Sequence, residues 1–226
     1  MWVGPRRMWP ERMDDPAETE AAWETALRDL GRLNRWTFAD RPLHEFLEPF
    51  SGRRRVSVLD VGAGGGDVLA SVQAWGERHG VTTELAGLDL SPHAGPCAKR
   101  LHPDLRARWI TGDVFELPEE ERFDLVLCTL VAHHMPDAGV VRLLRWLDAR
   151  AEQDWLILDL HRHALSWAGL WLGTRLLRMD SMVIHDSTAS VGRGFRRGDW
   201  TRLIAEAGVP ARARRRFPFR WAVSRG

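Results

Sequence analysis

Apolar positions along this chain follow two rhythms in turn. Trp23, Leu27 and Leu30 recur at helical spacing with Asn34 on the same face, which predicts an amphipathic helix over residues 16–36. Its start is signalled by Asp14-Asp15-Pro16-Ala17-Glu18, which offers a carboxylate as N-cap, proline in the first position and glutamate in the third. A second helix is expected over 40–50. From residue 55 the rhythm changes to short apolar runs separated by turns and helices. Strands are predicted over 56–61, 85–90, 107–112, 123–130 and 155–160. Helices are predicted over 67–78, from Ser91-Pro92 onward, and around Val140, Val141, Leu144 and Leu147. The last two strand runs are almost unbroken in apolar character, as parallel strands buried on both faces are. An apolar segment over 164–177 then interrupts the alternation. Trp200, Leu203, Ile204 and Ala207 mark one more helix, stopped by Gly208 and Pro210, and 211–224 read as a closing antiparallel pair hinged at Pro218.

Alternating strands and helices argue for an α/β fold with a doubly wound sheet. A ligand is then expected at the carboxyl ends of the strands, near the point where the strand order reverses. A chain of 226 residues suits one such core. Residues 1–50 read as an N-terminal helical cap, because their apolar faces need something to pack on. Residues 51–226 read as the main domain, with an insertion over 161–195.

Charge and cysteine content narrow the partners. The formal net charge is +1, so nothing draws the whole chain to nucleic acid or to acidic membranes. The local clusters, Arg53 to Arg55 and Arg212 with Arg214 to Arg216, lack the interleaved aromatic residues of a stacking platform. Cys97 and Cys128 make neither a disulfide framework nor a metal set, which fits a reducing, cytoplasmic setting. Met1-Trp2-Val3-Gly4-Pro5-Arg6-Arg7 contains no continuous apolar run, so no secretory signal is expected. The longest uncharged apolar stretch, 164–174, is far short of the ~20 residues that span a bilayer. Lys99 is the sole lysine and tyrosine is absent, which excludes mechanisms that need either in number.

The most informative stretch is Val58-Leu59-Asp60-Val61-Gly62-Ala63-Gly64-Gly65-Gly66-Asp67. Glycines after a buried strand let the backbone approach a ligand at the start of a helix. A dinucleotide fingerprint would need glycine at the sixth position of the turn, where this chain has Asp67. A carboxylate at Asp60 would repel a pyrophosphate and attract a cation. The stretch instead resembles motif I of the class I S-adenosylmethionine-dependent methyltransferases, whose cofactor carries a sulfonium and an α-ammonium. Three later segments resemble the family in the same order: Gly87-Leu88-Asp89-Leu90-Ser91-Pro92, Thr111-Gly112-Asp113-Val114, and Phe123-Asp124-Leu125-Val126-Leu127-Cys128. The motifs cover residues 56–135, and the rest of the chain matches by element order.

The resemblance implies a Rossmann-like, seven-stranded mixed sheet and S-adenosylmethionine as cofactor. It assigns cofactor binding to Asp60, Gly62, Gly64 and Gly66 at the turn. Asp89 and Leu90 fall at the ribose, Asp113 and Val114 at the adenine, and Thr129 at the end of the fourth strand. Taken alone, Asp89 and Asp113 would serve equally well as helix caps or turn residues.

Methyl transfer from a sulfonium is an in-line displacement that needs alignment, exclusion of water and, for a protonated acceptor, a base. Candidate bases are His133 and His134 in Thr129-Leu130-Val131-Ala132-His133-His134-Met135, then His161 and His185. The His-His pair is similar to that of ubiquinone/menaquinone-type and secondary-metabolite methyltransferases, where it also serves to hold the loop. Asn34 is the only asparagine, so the metal set of catechol-type enzymes cannot be assembled, and no His/Cys cluster has zinc spacing, so no metal is expected. The insertion carries Leu165, Trp167, Leu170, Trp171, Leu172, Leu176, Leu177 and Met179. Such apolar surface suits an aromatic, quinone or polyketide-like acceptor, or else packs a homodimer interface or a capping helix. O-methylation of a phenolic or enolic hydroxyl is the leading expectation. C-methylation of a quinol ring and non-catalytic cofactor binding are the alternatives.

Overall fold

The computed structural model describes residues 4–15, 17–37 and 39–226. Its strands are β1 (Arg55–Val61), β2 (Thr82–Asp89), β3 (Ala107–Thr111), β4 (Phe123–Thr129), β5 (Ala151–Leu160), β6 (Ala211–Arg216) and β7 (Arg220–Arg225). They form one sheet in the order β3-β2-β1-β4-β5-β7-β6. The first five run parallel, and β7 pairs antiparallel with β5 and β6. The chain order reverses between β1 and β4, so the crevice beyond their carboxyl ends is the expected ligand position.

Strand alternation explains why the central strands read as unbroken apolar runs. Val56 and Val58 of β1 and Leu125 and Leu127 of β4 face one side of the sheet. Leu59 and Val61, with Val126 and Cys128, face the other. The first side is covered by α2 (Arg41–Leu47) and α3 (Asp67–His79), through Leu43, Leu47, Leu69, Val72 and Trp75. The second is covered by α5 (Asp137–Arg150) and α8 (Arg197–Ala207), through Val140, Leu143, Leu144, Leu147, Trp200 and Leu203. Trp75, Trp155, Trp200 and Trp221 are fully buried, each worth on the order of 2–3 kcal/mol of apolar transfer.

Two helix starts differ from the sequence expectation. Helix α1 spans Glu20–Trp36 and is capped by Thr19, whose side chain accepts from the Ala22 N–H. The expected cap fails because Asp14 is drawn to His134 and Arg193, while Asp15 accepts from Ala17 in a local turn. Pro16 itself, like residues 1–3 of the expected signal-free N-terminus, lies outside the described residues. Helix α4 starts at Ala94, not at Ser91-Pro92, because the Ser91 hydroxyl accepts from the His93 N–H in a turn that precedes the helix. Strands β2 and β5 also begin earlier than their apolar runs, at Thr82 and Ala151.

The insertion folds as two helices, α6 (Ala164–Leu176) and α7 (Ser181–Arg193). Helix α7 packs on α1 through Met182, Val183 and Ala26. Helix α6 buries Ser166 and Thr174 and exposes Leu165, Trp171, Leu172 and Leu176. Its buried Thr174 hydroxyl is satisfied by donating to the Leu170 carbonyl at 2.7 Å. No helix among the described residues is long and apolar enough to cross a membrane.

Candidate active site

The glycine turn is fixed by the end of β2. The N–H groups of Gly62 and Ala63 both donate to the Leu88 carbonyl, at 2.7 and 3.0 Å. The Gly64 N–H donates to Asp89 Oδ2 at 2.9 Å, and the Ser91 N–H to Asp89 Oδ1 at 2.9 Å. Gly62 and Gly66 hold φ values of +71° and +80°, a region that L side chains disfavour. A Cβ at Gly62 would also collide with the Val131 side chain. Helix α1 lies over the turn, with Leu27 Cδ2 only 3.3 Å from where a Gly64 Cβ would stand.

Asp60 sits at the end of β1 with 1% of its surface exposed, and neither carboxylate oxygen has a hydrogen-bond partner. Burial, with Asp89 and Asp67 adding repulsion, pushes its pKa well above 3.8. A cation lodged at this turn would relieve that cost, so the orphaned carboxylate and the close-approach glycines fit S-adenosylmethionine. Asp89 is likewise raised, by burial, against the two backbone N–H groups it accepts from. Asp113 accepts from the Phe115 N–H at 3.0 Å and so caps the short turn that carries buried Val114. Thr129 ends β4, and Leu90 is 73% exposed beyond β2.

An apolar cavity of about 640 Å³ opens between α1, α6, α7 and the ends of β4, β5 and β7. Leu30, Leu33, Leu130, Leu160, Leu170 and Phe219 supply much of its wall, and His133 and His134 reach it from the loop after β4. His133 is buried and doubly tied to the fully buried Asp159. Its ring Nδ1 lies 2.8 Å from Asp159 Oδ1, and its backbone N–H donates to Oδ2 at 3.0 Å. Burial alone would raise the Asp159 pKa. The His133 charge, its ring hydrogen bond and the N–H groups of Leu160 and His133 outweigh that and hold it below 3.8. An ionised Asp159 fixes the proton on Nδ1 and leaves Nε2 as the free basic nitrogen.

Sequence reasoning missed Glu11. The segment before α1 is sewn to the rest of the fold: Arg6 pairs with Asp137 at 2.5 Å, and the Arg12 and Met13 N–H groups donate to Asp186. This places the Glu11 carboxylate in the cavity, 3.7 Å from His133 Nε2 and 3.8 Å from His134 Nε2. Burial pushes its pKa up to about 7, against the pull of His134 and of Arg193, whose Nη1 is 3.3 Å away. Asp14, also desolvated, is nonetheless drawn down to about 2 by His134 and Arg193. Glu11, His133 and His134 bring one donor atom each within 4.8 Å of one another. Among the described residues that trio could hold a metal ion, and no spacing along the chain signals it. The adjacent Arg193 guanidinium opposes a second cation at the same carboxylate.

The other two candidate histidines lie apart. His161 bridges to Phe195 and stacks among His163, Phe219 and Trp221, in a separate small pocket with Arg162 and Arg196. Burial and then Arg215 lower its pKa to about 4. His185 has a half-exposed side chain and is held by Asp186 at 2.7 Å, outside the cavity lining.

Comparison with known proteins places these features in a family. The model of a methyltransferase domain matches residues 58–168. The chain is 34% identical over 146 residues to a ubiquinone biosynthesis O-methyltransferase of Paracidovorax citrulli (strain AAC00-1), covering 56% of this chain and 54% of that one. It is 31% identical over 137 residues to the mitochondrial ubiquinone biosynthesis O-methyltransferase of Candida albicans, covering 58% and 40%. The matches thus span about half or less of these relatives' length. Among solved structures, the magnesium protoporphyrin IX methyltransferase of Synechocystis PCC 6803 with bound SAH aligns over 94% of this chain and 90% of its own, with a TM-score of 0.57 and 15% identity. With the motif order and the sheet topology in agreement, residues 58–168 match a methyltransferase domain, and the chain is similar to the class I S-adenosylmethionine-dependent methyltransferases.

Proposed function

We propose that this protein methylates a phenolic or enolic hydroxyl of a small, largely apolar acceptor, with His133 as the base. The observation that carries this reading is the Asp159–His133 pair, whose Nε2 lies 3.7 Å from Glu11, with both His133 and Glu11 lining the apolar cavity. Bound S-adenosylmethionine supplies an electrophilic methyl group. Asp60 would hold the cofactor's positive charge, Asp89 its ribose and Asp113 its adenine. The cavity wall is largely apolar, and His133, His134 and Glu11 stand together among its polar side chains. His133 Nε2 takes the hydroxyl proton, and Asp159 stabilises the imidazolium so formed. Glu11, 3.7 Å away with a pKa about 7, is the group to which that proton passes next.

Two curated relatives are O-methyltransferases of ubiquinone biosynthesis, which supports an aromatic hydroxyl as the acceptor. The test is turnover of the purified protein with S-adenosylmethionine on a panel of phenols and quinols. S-adenosylhomocysteine release and the position of the new methyl group by NMR are the readouts. O-methyl products that vanish in His133→Ala support the reading. Methylation at a ring carbon would replace it with quinol C-methylation, and cofactor binding without turnover on any acceptor would sink it.

A further inference from the structure

Arg220 is the buried charge that the proposed reaction does not use. It opens β7 directly across from Leu160, is 7% exposed and lines the apolar cavity. Its one side-chain hydrogen bond runs from Nη2 to the Asn34 amide oxygen on α1, at 3.1 Å. Among the described residues no carboxylate comes within 4.0 Å of its guanidinium.

The other buried arginines are treated differently. Arg193 pairs with Glu11 and Asp14, Arg162 pairs with Asp199 and donates to the Gly194 carbonyl, and Arg150 donates to the carbonyls of Pro118, Glu121 and Leu117. Asp159 is the carboxylate whose charge Arg220 feels, yet both its oxygens are already committed to His133 and to the Leu160 N–H. Burial lowers the Arg220 pKa only to about 10, so the group stays charged at neutral pH. A buried cation without a counter-charge is costly, and Arg220 lines the space the acceptor would fill.

We propose that the acceptor carries a carboxylate in addition to its reacting hydroxyl, and that Arg220, held by Asn34, receives that carboxylate inside the cavity. A guanidinium matches a planar carboxylate with paired N–H donors. Arg220 is the only arginine or lysine among the described residues lining the cavity, which also holds the carboxyl groups of Glu11 and Asp186, so it suits a monoanion better than a phosphate. The acceptor is then an aromatic or polyketide-like hydroxy acid, with its apolar body against the leucines and its hydroxyl toward His133. This inference rests on the reading of the cavity as the acceptor site.

The test is calorimetric titration of the full chain, saturated with S-adenosylhomocysteine, with a hydroxynaphthoic acid and with its uncharged methyl ester. The expected result is at least tenfold tighter binding of the acid, a preference reduced to about onefold in Arg220→Gln and partly kept in Arg220→Lys. S-adenosylhomocysteine affinity within twofold of the native protein shows that a variant is folded. Should Arg220→Gln fail to fold, Leu160→Glu places a carboxylate opposite the intact Arg220 and is expected to abolish the same preference. Equal affinity for acid and ester in the native protein, or a preference that survives both variants, overturns the proposal. Arg220-dependent acid binding without methyl transfer would leave it standing and remove the proposed reaction. Turnover of neutral phenols with no preference for acids would do the reverse.

Discussion

The His133 ring and the Asp159 carboxylate are joined twice, ring Nδ1 to Oδ1 at 2.8 Å and backbone N–H to Oδ2 at 3.0 Å. One buried carboxylate therefore sets both the tautomer of the ring and the path of the loop after β4. Asp159→Asn keeps the shape but places a donor where an acceptor is required. The expected outcome is a fall in kcat of roughly 10²–10⁴-fold with little change in cofactor affinity, measured by steady-state kinetics and S-adenosylhomocysteine titration. The pair also has a stability signature. Because the Asp159 pKa is held below 3.8 in the fold, its stabilisation is present above that pH and lost as pH falls through the lower folded value. Denaturation of Asp159→Asn should lack that acid-side loss. A variant with native kcat would remove His133 from the chemistry.

Asp60 behaves in the opposite sense. Its pKa is raised in the folded state, so the free protein loses stability as pH climbs from 3.8 toward the raised value. Asp60→Asn should raise the melting temperature of the cofactor-free protein at neutral pH and weaken S-adenosylmethionine binding at least tenfold, about 1.4 kcal/mol. Binding of the cationic cofactor should also release a proton from the native protein. Titrations in two buffers of different ionisation enthalpy would detect this as a heat difference that Asp60→Asn abolishes. Native affinity in that variant would show that the cofactor's charge lies elsewhere.

Glu11 gives the third expectation. Its carboxyl is raised from 4.5 to about 7, so its ionised form costs stability as pH rises between those values. The full span corresponds to roughly 3 kcal/mol, an upper bound given the neighbouring Arg193. Glu11→Gln should therefore be more stable than the native protein above pH 7 and equal to it near pH 4, as read by urea denaturation across that range. If Glu11 receives the proton from His133, the same variant loses kcat without a matching rise in KM. An unchanged kcat alongside the stability gain would confine Glu11 to a structural role.

The sequence made the sheet and the cofactor turn legible for a local reason: Val56, Val58, Leu125 and Leu127 are buried by their own strands, and Gly62 to Gly66 are contiguous. Asp60, Asp89 and Asp113 are readable as candidates because each lies at or just beyond the end of a strand. Glu11 could not, since its partner His133 lies 122 positions away and no periodic pattern surrounds it. The misplaced start of α1 has the same origin, because Asp14 is taken by a histidine and an arginine far along the chain. Arg220 was not legible either, because it opens a strand whose next three residues are buried on both faces, so no alternation sets it apart.

Gly62 links the glycine turn to the loop after β4 and yields the most discriminating stability test. Alanine there meets two separate penalties. The backbone holds φ at +71°, which costs an L residue about 1–2 kcal/mol, and the added Cβ collides with Val131, two residues before His133. Overpacking of that kind costs typically about 1–3 kcal/mol, and moving Val131 would displace the loop that carries His133, the proposed base. Gly80→Ala isolates the first penalty, because Gly80 has a φ of +67° at the end of α3 and nothing within 4 Å of its Cβ position. The expected order in chemical denaturation is native protein first, then Gly80→Ala, with Gly62→Ala lowest. Val131→Ala added to Gly62→Ala should recover the collision term alone, bringing the double variant near Gly80→Ala. Activity should survive in Gly80→Ala and fail in Gly62→Ala, because only the latter moves the loop between the glycine turn and His133. Equal stability of the two single variants would mean that the Gly62–Val131 contact relaxes freely and does not couple turn to loop.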